Sequence, residues 1–270
     1  LVLEGRDAAA FAQAQFMNDV AALGPGQWQW SGWLTPKGRL VALFALLRRQ
    51  EDAFWLVLPD ADADELAAQL RRFVFRSKVA IALPGHGIAG ALAAPAQARG
   101  AQAVAGDAGV DLDMTGEGGA RTLRVLSADA APAATGSEAV ARWTALDLEH
   151  GLPRLPAAQA GQWTPQQLSL DRLRAFSVKK GCYPGQEIVA RTHFLGQAKR
   201  HLVLFESDAA VAPGSEVGDG TRALGTVVSA AHGADSHRLL AVLPIEHDGA
   251  GLSAGDVVLR PRALRDGLAR

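Results

Sequence analysis

One run constrains this chain more than any other: Lys179-Lys180-Gly181-Cys182-Tyr183-Pro184-Gly185-Gln186-Glu187-Ile188-Val189-Ala190-Arg191. It holds the only cysteine and the only tyrosine of the 270 residues. Glycine and proline at this density impose a tight loop. Pro184 suits the first position of a helix, where its missing N–H has no partner anyway. The spacing predicts a helix from Gln186 to about His193, with its free amides facing back toward Cys182 and Tyr183. A thiol beside such an end and beside Lys179 and Lys180 is expected to be more acidic than a free one, while Glu187 pulls the other way. A lone cysteine is ordinarily a small buried hydrophobe. Lysines, glycines and a carboxylate are poor neighbours for a merely packed residue.

The length accommodates a large core in two or three units. The 27 basic and 28 acidic side chains leave a net charge near zero, which argues against broad, stable nucleic-acid binding. A single cysteine excludes an intrachain disulfide and an iron–sulfur cluster held by several thiolates of this chain alone. The seven histidines form no HExxH or comparable ligand set, so no stably bound metal is expected. No apolar run approaches about eighteen residues, so no membrane span is expected. The first residues show no export-leader pattern.

Read in order, Leu1–Leu3 is a short strand and Asp7 caps a helix carrying Phe11, Gln15 and Phe16. Asn18 and Asp19 either sit by a ligand or cap backbone. Trp28, Trp30 and Trp33 suggest a strand, and a turn or bulge must separate Trp30 from Trp33 if both face one cavity. Leu40–Leu47 reads as a strand, or as a helix given its leucine and alanine content, Phe54–Leu58 as a strand, Ala61–Arg72 as a helix and Val79–Leu83 as a further strand. Residues 89–110 read as an alanine- and glycine-rich connector or small surface subregion, Arg121–Leu126 as a strand, Ala130–Gly136 as a turn and Glu138–His150 as a helix packing Val140, Trp143, Leu146 and Leu148. Strand-like runs at His201–Phe205, Ala223–Val228, His237–Leu243 and Asp256–Leu259 predict a small terminal barrel. The expected class is α+β, with a body over residues 1–194 in two interleaved subdomains and a β-barrel over 195–270.

The run Lys179–Arg191 resembles the signature of the YgfZ/Iba57 group of folate-binding proteins, which is related to the aminomethyltransferase of the glycine cleavage system. Further stretches resemble the same group: Phe11–Gln15 with Asn18-Asp19-Val20, Thr35-Pro36-Lys37-Gly38-Arg39, Phe75-Arg76-Ser77-Lys78-Val79, the proline-glutamine and short-helix segment after Trp163, and the barrel lead-in His193–Arg200. Ser169 departs from the pattern, standing where asparagine is usual.

The resemblance implies a tetrahydrofolate-binding accessory protein for assembly, maintenance or repair of iron–sulfur enzymes, including support of tRNA modification. Its partners would be reduced folate and iron–sulfur enzymes or cluster-assembly proteins. Its setting would be the bacterial cytoplasm, or a mitochondrion after removal of a leader. On that basis Cys182 is the candidate reactive group. The candidate folate contacts are Trp30, Lys37, Arg39, Lys180, Gly181, Tyr183, Gly185, Gln186, Glu187 and Arg191, around a hollow beside the thiol loop. Glycines allow close backbone approach, and arginine suits a carboxylate tail. The alternative is a tetrahydrofolate-dependent aminomethyl or one-carbon transferase, for which Asp111 and Asp113 are the available paired carboxylates. A structural partner-binding module is a third possibility.

Overall fold

The computed structural model describes residues 1–127, 130, 136–196, 198–233 and 235–270. The expected Ala130–Gly136 turn therefore lies largely outside the described residues. The first sheet combines β1 (Val2–Glu4), β2 (Trp28–Leu34), β3 (Leu40–Gln50), β4 (Ala53–Val57) and β5 (Ala80–Ala82) in the order β2-β3-β4-β1-β5, and every pairing in it is antiparallel. Apolar residues on both faces of β2 and β3 bury the sheet on two sides. Trp33, Phe44 and Leu46 face helices α1 (Ala8–Gln15) and α2 (Ala63–Arg71). Trp28, Trp30, Ala45 and Leu47 face the centre of the molecule.

Trp30 and Trp33 thus belong to opposite faces of one regular strand. No bulge intervenes between them, and they share no cavity; the irregularity in β2 comes after Trp33. Asp7 precedes α1, but its carboxylate makes no cap to that helix and instead accepts from the Lys78 backbone N–H at 2.6 Å.

The alanine-rich region that reads as a connector is a sheet. Strands β6 (Ile88–Ala91), β7 (Val104–Gly106), β8 (Gly109–Asp113) and β9 (Thr122–Leu126) run in the order β6-β9-β8-β7. Its inward residues, among them Val110, Leu112 and Val125, join the central core. Asp111 and Asp113 accordingly lie on a strand. Helix α3 (Ser137–Glu149) packs here, burying Ala145, Asp147 and Leu148, while Val140 is exposed rather than packed. The segment after Trp163 is a succession of turns, and the short helical piece nearby is a single 3₁₀ turn at Ala157–Gln159.

Helix α4 (Gln186–Phe194) follows the thiol loop. Its N-cap is Gly185 at φ 79°, so Pro184 precedes the cap rather than opening the helix. The closed barrel comprises β10 (Arg200–Ser207), β11 (Glu216–Gly218), β12 (Ala223–His232), β13 (His237–Pro244), β14 (Leu252–Ala254) and β15 (Val257–Arg262), in the order β10-β13-β12-β11-β14-β15. It holds its own core around Phe205, Val227 and Leu239. The segment after β15 returns to the centre, where Leu268 is buried and its carbonyl accepts from the Trp30 indole N–H at 2.8 Å.

Candidate functional site

The thiol loop is assembled from three distant stretches. Ser177 anchors it: its N–H donates to the Met17 carbonyl, and its hydroxyl accepts from the N–H groups of Lys179 and Lys180. Lys180 then turns inward, where its ammonium donates to the carbonyls of Gln13, Phe16 (2.5 Å) and Asn18 (3.0 Å) at the end of α1. All three of its N–H groups are matched by acceptors, and the cation also sits 5.0 Å from the centre of the Tyr183 ring. Burial pulls Lys180 down to about 8, and the Asp19 carboxylate partly opposes that shift. Tyr183 is buried against the same residues and donates to the Ser177 carbonyl, and burial pushes its hydroxyl up to about 12. Gln186 closes the loop by donating to the Lys180 carbonyl.

Two glycines make the loop possible. Gly38, at the tip of the Thr35–Arg39 turn, and Gly185 both have positive φ and lie against each other. A Cβ on Gly185 would stand 2.6 Å from the Gly38 Cα, and one on Gly38 would stand 2.9 Å from the Ile188 Cβ. Two segments far apart in sequence thus meet through backbone contact. Their meeting brings Lys37, Arg39 and the thiol loop to one region. Arg39 is held there by the Gln162 carbonyl and the Gln167 amide oxygen. Cys182, Gly181, Glu187, Arg191 and Lys37 are exposed on this side.

The largest change from the sequence expectation concerns the hollow. A cavity of about 350 Å³ lies between the first sheet, the second sheet and α3. Its wall includes Trp30, Met114, Leu123, Trp143, Asp147 and Arg154, and no residue of Lys179–Arg191. Of the candidate folate contacts, Trp30 alone lines it. A second cavity of about 290 Å³ shares Val57, Leu58 and Ile88 with it.

Sequence reasoning misses the charged wall of the larger cavity. Arg121 is fully buried and donates to Asp147 at 2.7 Å, with its guanidinium 4.8 Å from the centre of the Trp143 ring. Arg154 lies 3.5 Å from the other Asp147 oxygen and pairs with Asp60 at 2.8 Å. Burial pushes the Asp147 carboxyl up, against the pull of Arg121 and Arg154. The Arg121 Nε and Nη2 atoms have no partner among the described residues. One signal could have found Asp147: it lies four residues from Trp143 and so on the same helical face. An acid on a packed stripe is rarely buried without a cationic partner.

One residue connects loop and cavity. The carbonyl of Asn18 accepts from Lys180, and its side-chain amide donates to the carbonyls of Trp30 (2.8 Å) and Arg174 (2.7 Å). Asn18 therefore ties backbone together, in line with one of its two sequence readings. Ser169, at φ 49°, accepts from the Leu202 N–H in the first barrel strand, joining the barrel to the body. Asp111 is bound by Arg124 through two hydrogen bonds, and Asp113 accepts from the N–H groups of Gly100 and Thr115.

The cavity's volume falls in the small-molecule range of about 300–1,000 Å³, its walls carry two indoles, and the buried Asp147 carboxylate and the half-buried Arg154 guanidinium are its charged groups. Among the described residues no group of three or more metal-ligating side chains occurs, and no helix is long and apolar enough to cross a membrane.

No protein-family model matches the sequence. The fold is similar to that of the glycine cleavage system aminomethyltransferase T from Bartonella henselae, with a TM-score of 0.76 at 18% identity over 97% of this chain and 81% of the other. The sequence is 30% identical to the tRNA-modifying protein YgfZ of Enterobacter sp. (strain 638), over 91% of this chain and 82% of the relative. It is 31% identical to that of Klebsiella pneumoniae (strain 342), over 89% and 81% respectively. With an aminomethyltransferase fold, a closed terminal barrel and this extent of likeness, the chain belongs to the YgfZ family.

Proposed function

We propose that the protein binds tetrahydrofolate, or a derivative of it, and serves iron–sulfur enzymes, among them enzymes that modify tRNA. The observation that carries this reading is the indole-walled cavity with Asp147 and Arg154 in its wall. Trp30 and Trp143 would hold the ring by stacking. Asp147 would accept from ring N–H donors, held for that task by Arg121 beneath it. The folate, when bound, supplies a carrier for a one-carbon unit. The chain's part is to bind it, exclude water and keep the carboxylate oriented.

The Cys182 face has a separate task in this reading. Lys180 and Tyr183 hold the loop from inside, which leaves Cys182 exposed to a partner. The exposed Lys37, Arg191 and Glu187 would serve as charged contacts to that partner, with Gly181, Gly185 and Gln186 shaping the backbone. Arg39, bound at Gln162 and Gln167, braces the turn that carries Lys37. A cytoplasmic bacterial setting accords with the bacterial origin of the relatives. The one-carbon transferase alternative has less to draw on, because Asp111 and Asp113 are both committed to local hydrogen bonds.

Titration with tetrahydrofolate, followed by quenching of tryptophan fluorescence, tests the reading. Asp147→Asn is expected to weaken binding by about ten-fold or more, as loss of a charge-assisted contact does. Cys182→Ala should bind normally while failing to support iron–sulfur enzyme activity. Absence of any affinity for reduced folates would overturn the proposal.

A further inference from the structure

The conspicuous surface outside this site is the turn after α2. Residues 71–78 read Arg-Arg-Phe-Val-Phe-Arg-Ser-Lys, four cations and two phenyl rings with no acid, in a chain whose overall charge is near zero. The turn is rigidly held. Successive backbone bonds join Phe73 to Leu70, Val74 to Arg71 and Ser77 to Val74. The Phe73 ring packs edge-on against Trp33 at 5.9 Å. At the other end the Lys78 N–H donates to the Asp7 carboxylate, while the Lys78 carbonyl accepts from the Asp7 N–H.

Between these two anchors Phe75 is 89% exposed and adopts φ 34°. A bulky residue in that region is a backbone outlier, and the sequence uses no glycine to relieve it. Arg71 and Arg72 suit the carbonyl end of α2, but Arg76 and Lys78 lie beyond any helix end. Arg71 donates to the Ile81 carbonyl, whereas Arg72 and Arg76 form no ion pair among the described residues. The nearest acids are few. Asp7 is already engaged by Lys78 and Arg6, and Glu4 lies on β1 opposite Ala80.

We propose that this turn is an RNA-contact surface, in which an unpaired base stacks on Phe75 and flanking phosphates meet Arg72, Arg76 and Lys78. A solvated ring on a backbone-anchored turn between separated cations matches the way single strands are held, by stacking and phosphate contact together. Two arginines among the three proposed contacts favour forked contacts to phosphate over simple charge attraction. The inference rests on the reading that the protein serves tRNA modification. Its test is independent of folate binding.

The test is fluorescence anisotropy of the whole protein with a labelled single-stranded RNA of about 15 nucleotides, between about 50 and 200 mM salt. Phe75→Ala should weaken binding about ten-fold, and Phe75→Trp should restore it, because stacking tolerates any flat ring. With about three phosphates engaged, the logarithmic salt slope should be near −2 for the native chain, and Arg72→Ala/Arg76→Ala should bring it below 1 in magnitude. Thermal unfolding of each variant should match the native protein, which verifies the fold. No RNA binding by the native chain at low salt overturns the inference, as does RNA binding indifferent to Phe75. Sedimentation with phosphatidylserine vesicles in place of RNA binding would also overturn it, by marking a membrane-facing turn. Intact RNA binding with no folate affinity would remove the folate reading and leave this one standing.

Discussion

At the scale of single residues, Lys180 sets the character of the thiol loop. Its sequence position suggests a cation reaching for an anionic tail. In the fold it serves three carbonyls at the end of α1, a use that becomes visible only when residue 180 meets residues 13–18. Because its folded-state value is near 8 and its ordinary value is 10.5, the unfolded chain binds more protons between those two pH values. Stability should therefore rise with pH across that window, by an amount on the order of 2 kcal/mol. Tyr183 acts in the opposite direction. Its hydroxyl moves from 10.0 to about 12, so its contribution is present below pH 10 and lost between 10 and 12. Chemical denaturation as a function of pH should show a rise and then a fall, and Lys180→Met should abolish the rise alone. Asp147 illustrates the limit of reading residues in isolation: its neighbours in sequence are apolar, while its partners Arg121 and Arg154 arrive from elsewhere in the chain.

Elements are legible where their hydrophobic period is strong. The strands of the first sheet, α2, α3, α4 and four barrel strands follow from apolar spacing and glycine or proline punctuation. Of the second sheet, β9 follows in the same way, but β6 and β7 do not, because they are short, rich in alanine and glycine and exposed, so that backbone pairing rather than patterning specifies them. The spacing places the helix after the thiol loop to within a residue or so, but it gives Pro184 the role of opening it, where the left-handed Gly185 is the cap. The reason is the close approach of Gly38, a contact across the chain. Gly185→Ala should cost roughly 2–4 kcal/mol, combining an unfavourable φ with overpacking, and urea denaturation would measure it. Gly181→Ala has open space around its Cβ and an ordinary φ, so its denaturation midpoint should stay within experimental scatter of the native value.

On the scale of the whole molecule, the core is shared. The central cluster draws residues from both sheets, α3, α4, the barrel and the segment after β15. The small terminal barrel expected from strand spacing packs into the body: Leu202, Leu204 and Val228 join that cluster, and Leu268 supports the strand that lines the cavity. Leu268→Ala should destabilise the chain by about 2–5 kcal/mol. It should also weaken folate binding under the proposed function, since Trp30 loses a well-placed support; thermal unfolding and ligand titration would separate the two effects. Total charge is a poor guide at this scale, because a sum near zero conceals the cationic turn at 71–78.

The exposed thiol has a practical consequence. Since the chain contains no second cysteine, a maleimide dye can attach through sulfur at one address only. Lys180 and Asn18 link the loop that carries it to the tryptophan strand behind. Emission from a labelled protein would thus register filling of the interior from outside, without any engineered background.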